Sequence, residues 1–298
     1  MKPRRRLFLA GLGVLGLSAC TGPGHRVDPA PAITRVARKP RVALALGGGA
    51  ARGFAHIGVI KILENHGLAP DMVVGTSAGA LVGALYAAGH GPFELQKLAI
   101  QLEESAVADW SLFDRGVLKG EALERFINMH VANRPIEGLK RRFAAVATDL
   151  QSGQPIVFQR GNTGIAVRAS ASIPGVFPPV LIGGREYVDG GLVAPIPVRA
   201  ARGLGSDIIV AVDISGRPSG KRNQGSLDLL LDTISIMGGA LGRDELAGAD
   251  VIIQPDLKGL PATNFQQRHE AILEGERAGL AALPRLREAI AAWERKNA

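Results

Sequence analysis

The serine in Gly75-Thr76-Ser77-Ala78-Gly79 has the setting nucleophilic chemistry asks for, with small neighbours and an apolar run on either side. Asp71-Met72-Val73-Val74 reads as a short buried strand, and Ala78 to Ala88 as a helix packed on both sides. A tight strand-to-helix turn strains its central residue and lifts the hydroxyl to the helix N-terminus. Free N–H groups and the macrodipole favour developing negative charge there. Gly75 and Gly79 let neighbouring backbone approach with no Cβ in the way. Such a pentapeptide also fits a glycine-rich packing turn, so its meaning depends on what accompanies it.

A second glycine cluster precedes it. Gly47-Gly48-Gly49-Ala50-Ala51-Arg52-Gly53 joins the apolar strand candidate Arg41 to Leu46 to a helical pattern through Ile57, Ile60, Ile62 and Leu63. A dinucleotide site would pair G-x-G-x-x-G with an acid at the end of the next strand. Here the next strand ends in the serine turn instead, which argues against nucleotide binding. The alternative is an oxyanion hole, in which the N–H groups of Gly48 and Gly49, with Ala50, face the carbonyl oxygen of an ester attacked by Ser77. One such donor is worth roughly 3 kcal/mol in the transition state. Arg52 either buttresses the loop or meets an anionic head group.

A serine hydroxyl needs a base. The histidines are His25, His56, His66, His90, His130 and His269. In the order expected of a Ser-Asp-His triad only His269 comes late enough, and it sits at a polar helix start rather than in a loop after a strand. The remaining candidate is a Ser-Asp dyad using Asp189, which ends a strand and is followed by Gly190-Gly191. Asp149 and Asp213, also at strand ends, are its competitors. A carboxylate serves as base only in direct contact with the hydroxyl and partly desolvated.

The elements that must position these residues alternate along the chain. Helical spacing covers Pro92 to Ala108 and Glu121 to Val131, with the 110–120 connection as a candidate cover over the site. Strands are expected over 142–149, 155–159, 208–213 and 251–253, and a hairpin over 180–188 around Gly183-Gly184. Residues 174–179, PGVFPP, must form a rigid loop. Helices are expected over 226–246 and 267–295. This order predicts an α/β fold, a three-layer α/β/α sandwich with a largely parallel central sheet.

The chain's start has a different character. Lys2, Arg4, Arg5 and Arg6 precede an apolar Leu7 to Ala19, too short to span a membrane comfortably, so residues 1–19 read as a secretory leader. Leu17-Ser18-Ala19-Cys20 resembles the bacterial lipobox, with Cys20 lipidated and serving as membrane anchor. Cys20 is the single cysteine, which excludes an intrachain disulfide. Arg5-Arg6-Leu7-Phe8-Leu9 also resembles a twin-arginine export signal. Thr21 stands where bacterial lipoproteins tend to carry an inner-membrane retention aspartate, which points to the outer membrane, facing the periplasm. Residues 20–40 read as a flexible tether, 41–202 as the catalytic core and 203–298 as an extension completing the same domain. Without the four leader cations the formal charge of +8 falls to +4, an ordinary basic excess that gives no case for nucleic acid.

Taken together, four blocks resemble the patatin-like phospholipase family in its compact bacterial branch. They are LGGGAARG at 46–53 with AHIGV at 55–59, GTSAG at 75–79, ASASIPGVFPP at 169–179 and DGG at 189–191. The resemblance implies serine acyl hydrolysis of phospholipid, lysophospholipid or related lipid esters by a Ser-Asp dyad, with no metal, no cofactor and no catalytic histidine. By position Ser77 matches the nucleophile and Asp189 the base. The Gly47 to Gly49 loop, with Ala50 and the Ala78 N–H, matches the oxyanion hole, and Arg52, Gly53, Gly75, Gly79, Gly190 and Gly191 complete the motifs. Ala50 departs from the pattern, since many members have glycine there; the hole survives if that residue needs no positive φ. The rival reading is a catalytically silent envelope lipoprotein that binds acyl chains or a protein partner on the same fold.

Overall fold

The computed structural model describes residues 38–101, 120–215, 226–262 and 264–298. The leader, Cys20, the tether up to residue 37 and the 110–119 part of the candidate cover lie outside these. Eight strands form one sheet: β1 (Val42–Leu46), β2 (Met72–Thr76), β3 (Arg142–Asp149), β4 (Pro155–Phe158), β5 (Val180–Ile182), β6 (Arg185–Asp189), β7 (Ile208–Val212) and β8 (Val251–Ile253). Their order is β5-β6-β3-β2-β1-β7-β8, with β4 also paired to β3. The run β3-β2-β1-β7-β8 is parallel throughout. β4, β5 and β6 add antiparallel pairings at one end. The sheet is therefore mixed, with a parallel centre as expected.

The near-continuous apolar strands bury both faces, and side-chain alternation sorts them into two cores. Leu44, Leu46, Val73, Val210 and Val212 pack with the helices α1 (Phe54–Asn65), α2 (Ala78–Ala88), α3 (Pro92–Gln101), α4 (Glu121–His130) and α5 (Thr163–Ser170). Ala43, Ala45, Met72, Val74, Ile209 and Ala211 form the opposite core with α6 (Val198–Gly203) and the last residue of α7 (Ser226–Leu246). The final helix, α8 (Arg268–Asn297), joins the first core through Ala271, Ile272, Leu283 and Leu286.

Two helices escaped the sequence reading for local reasons. α5 is only eight residues long and is set by the Asn162 side chain, which accepts the Ile165 N–H at 2.8 Å. α6 has six residues, too few for a periodic signal. The 180–188 hairpin is present, with φ of 58° at Gly183 and 81° at Gly184, the two positive values a type I′ turn demands. None of the helices among the described residues is long and apolar enough to cross a membrane.

Candidate active site

Sheet register brings the serine and the acid together. Parallel β2 and β3 stay in step until Thr76 lies beside Val146, but β3 continues three residues farther. β6 runs antiparallel along that overhang, with Tyr187 opposite Asp149 and Asp189 opposite Ala147. It therefore arrives at the level of Ser77 as it ends. Gly190 makes the arrival possible: a Cβ there would overlap the Val146 carbonyl and crowd Thr76. The Ser77 Oγ donates to Asp189 Oδ2 at 2.7 Å, joining residues 112 positions apart. Both side chains are buried, at 8% and 6% exposure.

Ser77 is the N-cap of α2, with φ 53° and ψ −119°, a strained conformation for a residue with a side chain. The surrounding hydrogen bonds hold it there. Its N–H donates to Ser170 Oγ at 2.9 Å, and Ser170 in turn donates to the Val146 carbonyl. Thr76 Oγ1 donates to the Ala194 carbonyl at 2.8 Å. Gly79 packs so tightly on the Leu46 carbonyl that any side chain there would collide with it. Gly75 closes the turn on its other side, and Gly53 packs against Ala78 Cβ.

Asp189 is fixed on every side. Its Oδ1 accepts the Gly191 N–H at 2.6 Å, its N–H donates to the Ser172 carbonyl, and its own carbonyl accepts Thr148 Oγ1. Burial raises its pKa from the ordinary 3.8 to about 6, against the opposing pull of the bonds from Ser77 and Gly191. That makes it a stronger base than an exposed aspartate. The competing acids serve the fold. Asp149 pairs with Arg185 at 2.5 and 2.8 Å, which holds its pKa well below the usual range, and it also accepts the Ser152 N–H. Asp213 accepts from the Ser215 N–H and Gln254 Nε2.

Among the described residues no histidine lies in the cleft around Ser77. His66, His90 and His130 bond backbone carbonyls, and His269 is exposed in the first turn of α8. His56 is buried in α1, where desolvation lowers its pKa to about 4 and keeps it neutral. Its Nε2–H donates to the Gly47 carbonyl at 2.8 Å, so it positions the glycine loop. Ser170, Thr76, Thr148 and His56 are supports that sequence reasoning missed. His56, Thr76 and Ser170 stood inside three of the four motif blocks, but nothing in their spacing marks a support role.

The loop's donors differ in availability. The Gly47 N–H donates to the Val212 carbonyl at 3.1 Å and the Gly48 N–H to the Pro195 carbonyl at 2.9 Å. Neither is free for a substrate, which corrects the expected assignment of these two glycines as donors. The N–H groups of Gly49, Ala50 and Ala78 have no acceptor among the described residues. Ala50 has φ 49°, so the residue that replaces glycine does adopt the positive φ that the sequence reading required it to avoid. This left-handed conformation costs an L-residue roughly 1–2 kcal/mol. Ala50→Gly is accordingly expected to hold or raise stability by about 1 kcal/mol in urea unfolding, not to lose the usual increment for added glycine. A clear loss would contradict the strain at this position.

Two lobes of a cleft meet at Ser77, Ala50 and Ile173. One is lined by Arg52, Asp189, Leu192, Pro195, Ser215 and Ile234. The other, equally open to solvent, is lined by Phe54, Leu81, Val82, Leu123, Phe177 and Phe265. Arg52 Nε donates to the Leu260 carbonyl at 2.9 Å, and burial lowers its pKa. No group of His, Cys, Asp and Glu side chains among the described residues is arranged to hold a metal ion.

Comparison with known proteins identifies relatives of this arrangement. A family model described as patatin-like phospholipase matches residues 44–202. An uncharacterized NTE family protein of Mycobacterium tuberculosis is 41% identical over 197 residues, covering 64% of this chain and 54% of that protein. Patatin-like phospholipase domain-containing protein 6 of Mus musculus is 33% identical over 193 residues, covering 62% of this chain and 14% of that protein. This chain's matches thus span about half of the mycobacterial relative and far less of the murine one. The crystal structure of VipD from Legionella pneumophila superposes with a TM-score of 0.58 at 14% identity, over 86% of this chain and 67% of that one. That likeness is one of fold.

Proposed function

The chain belongs to the patatin-like phospholipase family, and from that premise we propose that it hydrolyses lipid esters through a Ser77-Asp189 dyad and an acyl-serine intermediate. The observation that carries this reading is the 2.7 Å bond from Ser77 Oγ to Asp189 Oδ2 at the junction of the cleft. Asp189 takes the hydroxyl proton as Oγ attacks the ester carbonyl carbon. The oxyanion forms beside the unused N–H groups of Gly49, Ala50 and Ala78. As the tetrahedral centre collapses, the protonated Asp189 gives its proton to the departing alkoxide. Water, deprotonated by the same carboxylate, then attacks the acyl carbon; as its bond to Oγ breaks, Asp189 returns the proton to Ser77 Oγ and the acid departs.

The substrates in this reading are phospholipids, lysophospholipids or related acyl esters. Arg52 braces the 260 loop through Nε and offers its remaining guanidinium N–H groups to an anionic head group. The leader and Cys20 extend the reading to location: a lipid-anchored protein of the bacterial envelope, at the outer membrane facing the periplasm.

A fluorophosphonate probe tests the enzyme reading against that of a silent acyl-chain binder. The expected result is stoichiometric covalent labelling of Ser77, found by peptide mass spectrometry, together with release of fatty acid from lysophospholipid micelles. Folded protein that takes up no probe and releases no fatty acid would leave the binder as the better reading.

A further inference from the structure

The two lobes that meet at Ser77 differ in one respect that the chemistry of the dyad makes decisive: only one of them contains Asp189. The inference depends on the Ser77-Asp189 reading. When the first tetrahedral centre collapses, the Ser77 Oγ–C bond stays and the bond from carbon to the alcohol oxygen breaks. The alkoxide leaves with the bond's electron pair and takes the proton held on Asp189. The alcohol part of the substrate must therefore lie within reach of Asp189, in the lobe with Arg52, Ser215 and Ile234. The oxyanion faces the N–H groups of Gly49, Ala50 and Ala78. One substituent of the carbonyl carbon remains, the acyl chain, and it has one direction left.

We infer that the lobe walled by Phe54, Leu81, Val82, Leu123, Phe177 and Phe265 is the acyl-chain site, and that Leu81 and Leu123 set the chain length the protein accepts. This lobe contains Ser77 and Ala78 but not Asp189, and its walls are apolar. It is built on rigid elements: Leu81 and Val82 come from α2, which begins at the nucleophile, and Leu123 comes from α4. Phe54 and Phe265 pack edge to face with centroids 6.2 Å apart. Leu81 and Leu123 are only partly buried, so a larger side chain at either can grow into the lobe without displacing core.

The test compares kcat/KM for p-nitrophenyl laurate and p-nitrophenyl butyrate in Leu81→Phe, Leu123→Trp and Ile234→Trp. Each methylene denied burial costs about fourfold, so losing two or more lowers the laurate-to-butyrate ratio by at least about tenfold. That fall is expected in Leu81→Phe and Leu123→Trp, each checked for folding by circular dichroism, and not in Ile234→Trp. An unchanged ratio in both lobe variants, or a fall in Ile234→Trp alone, overturns the assignment while the unaltered protein's turnover leaves the dyad standing. No turnover of either ester by the unaltered protein removes the dyad and the assignment together.

Discussion

Ser77→Ala is expected to lower kcat/KM for p-nitrophenyl butyrate by on the order of 10⁶-fold, and Asp189→Asn by about 10²–10⁴-fold. The first removes the Oγ that forms the acyl bond in the dyad reading. Alanine tolerates φ 53° no worse than serine, and the bond from the residue 77 N–H to Ser170 Oγ does not involve the hydroxyl. Loss of activity in this variant therefore reports the nucleophile and not a collapsed turn. In Asp189→Asn the amide oxygen still accepts the Gly191 N–H, and the amide nitrogen faces Ser77 Oγ. The position keeps its shape but can no longer take a proton. Full activity in either variant, by stopped assay on folded protein, would sink the dyad.

The same Asp189→Asn substitution is expected to stabilise the protein at pH 8. Folding moves this carboxyl from its ordinary 3.8 to about 6. The folded state thus binds the proton more tightly than the unfolded chain, and stability falls as pH rises between these values. The penalty is absent below about pH 4 and complete above about pH 6, where it amounts to roughly 3 kcal/mol. Asparagine carries no such penalty. Its Tm at pH 8 should exceed that of the unaltered protein by roughly 5 °C, with the gap closing as the pH approaches 4. A gap that is constant with pH would show that Asp189 does not hold a costly charge. The same group sets an acid limb near pH 6 on kcat/KM in the unaltered protein, since only the carboxylate accepts the serine proton.

The parallel centre of the sheet was legible because its strands are short, nearly all apolar and separated by helical periods. The turn at Ser77 was legible because an apolar strand, a serine among small residues and a helical run follow one another there, and the other motif blocks accompany it. The pairing of Ser77 with Asp189 was legible only by elimination and family resemblance, since local pattern carries no information about residues 112 positions apart. What stayed hidden follows from the same limit. Whether the Gly48 N–H is free depends on the Pro195 carbonyl, which belongs to a segment the glycine loop does not foretell. The support from Ser170 is a contact between α5 and the nucleophile turn, and α5 itself was too short to read. The positive φ of Ala50 contradicts the residue's own preference, so surrounding structure has overruled local propensity there.

The overhang of β3 beyond β2 gives β6 a power over activity that no catalytic side chain has. Along a strand, neighbours point to opposite faces, so pairing β6 one position out of step would aim Val188 at the serine and turn the acid away. A chain with β1 and β2 joined but β6 still undocked owns a nucleophile without a base. In the dyad reading the acid meets the serine only once β6 has taken this register along β3, and the hairpin with its two positive-φ glycines holds β6 to β5.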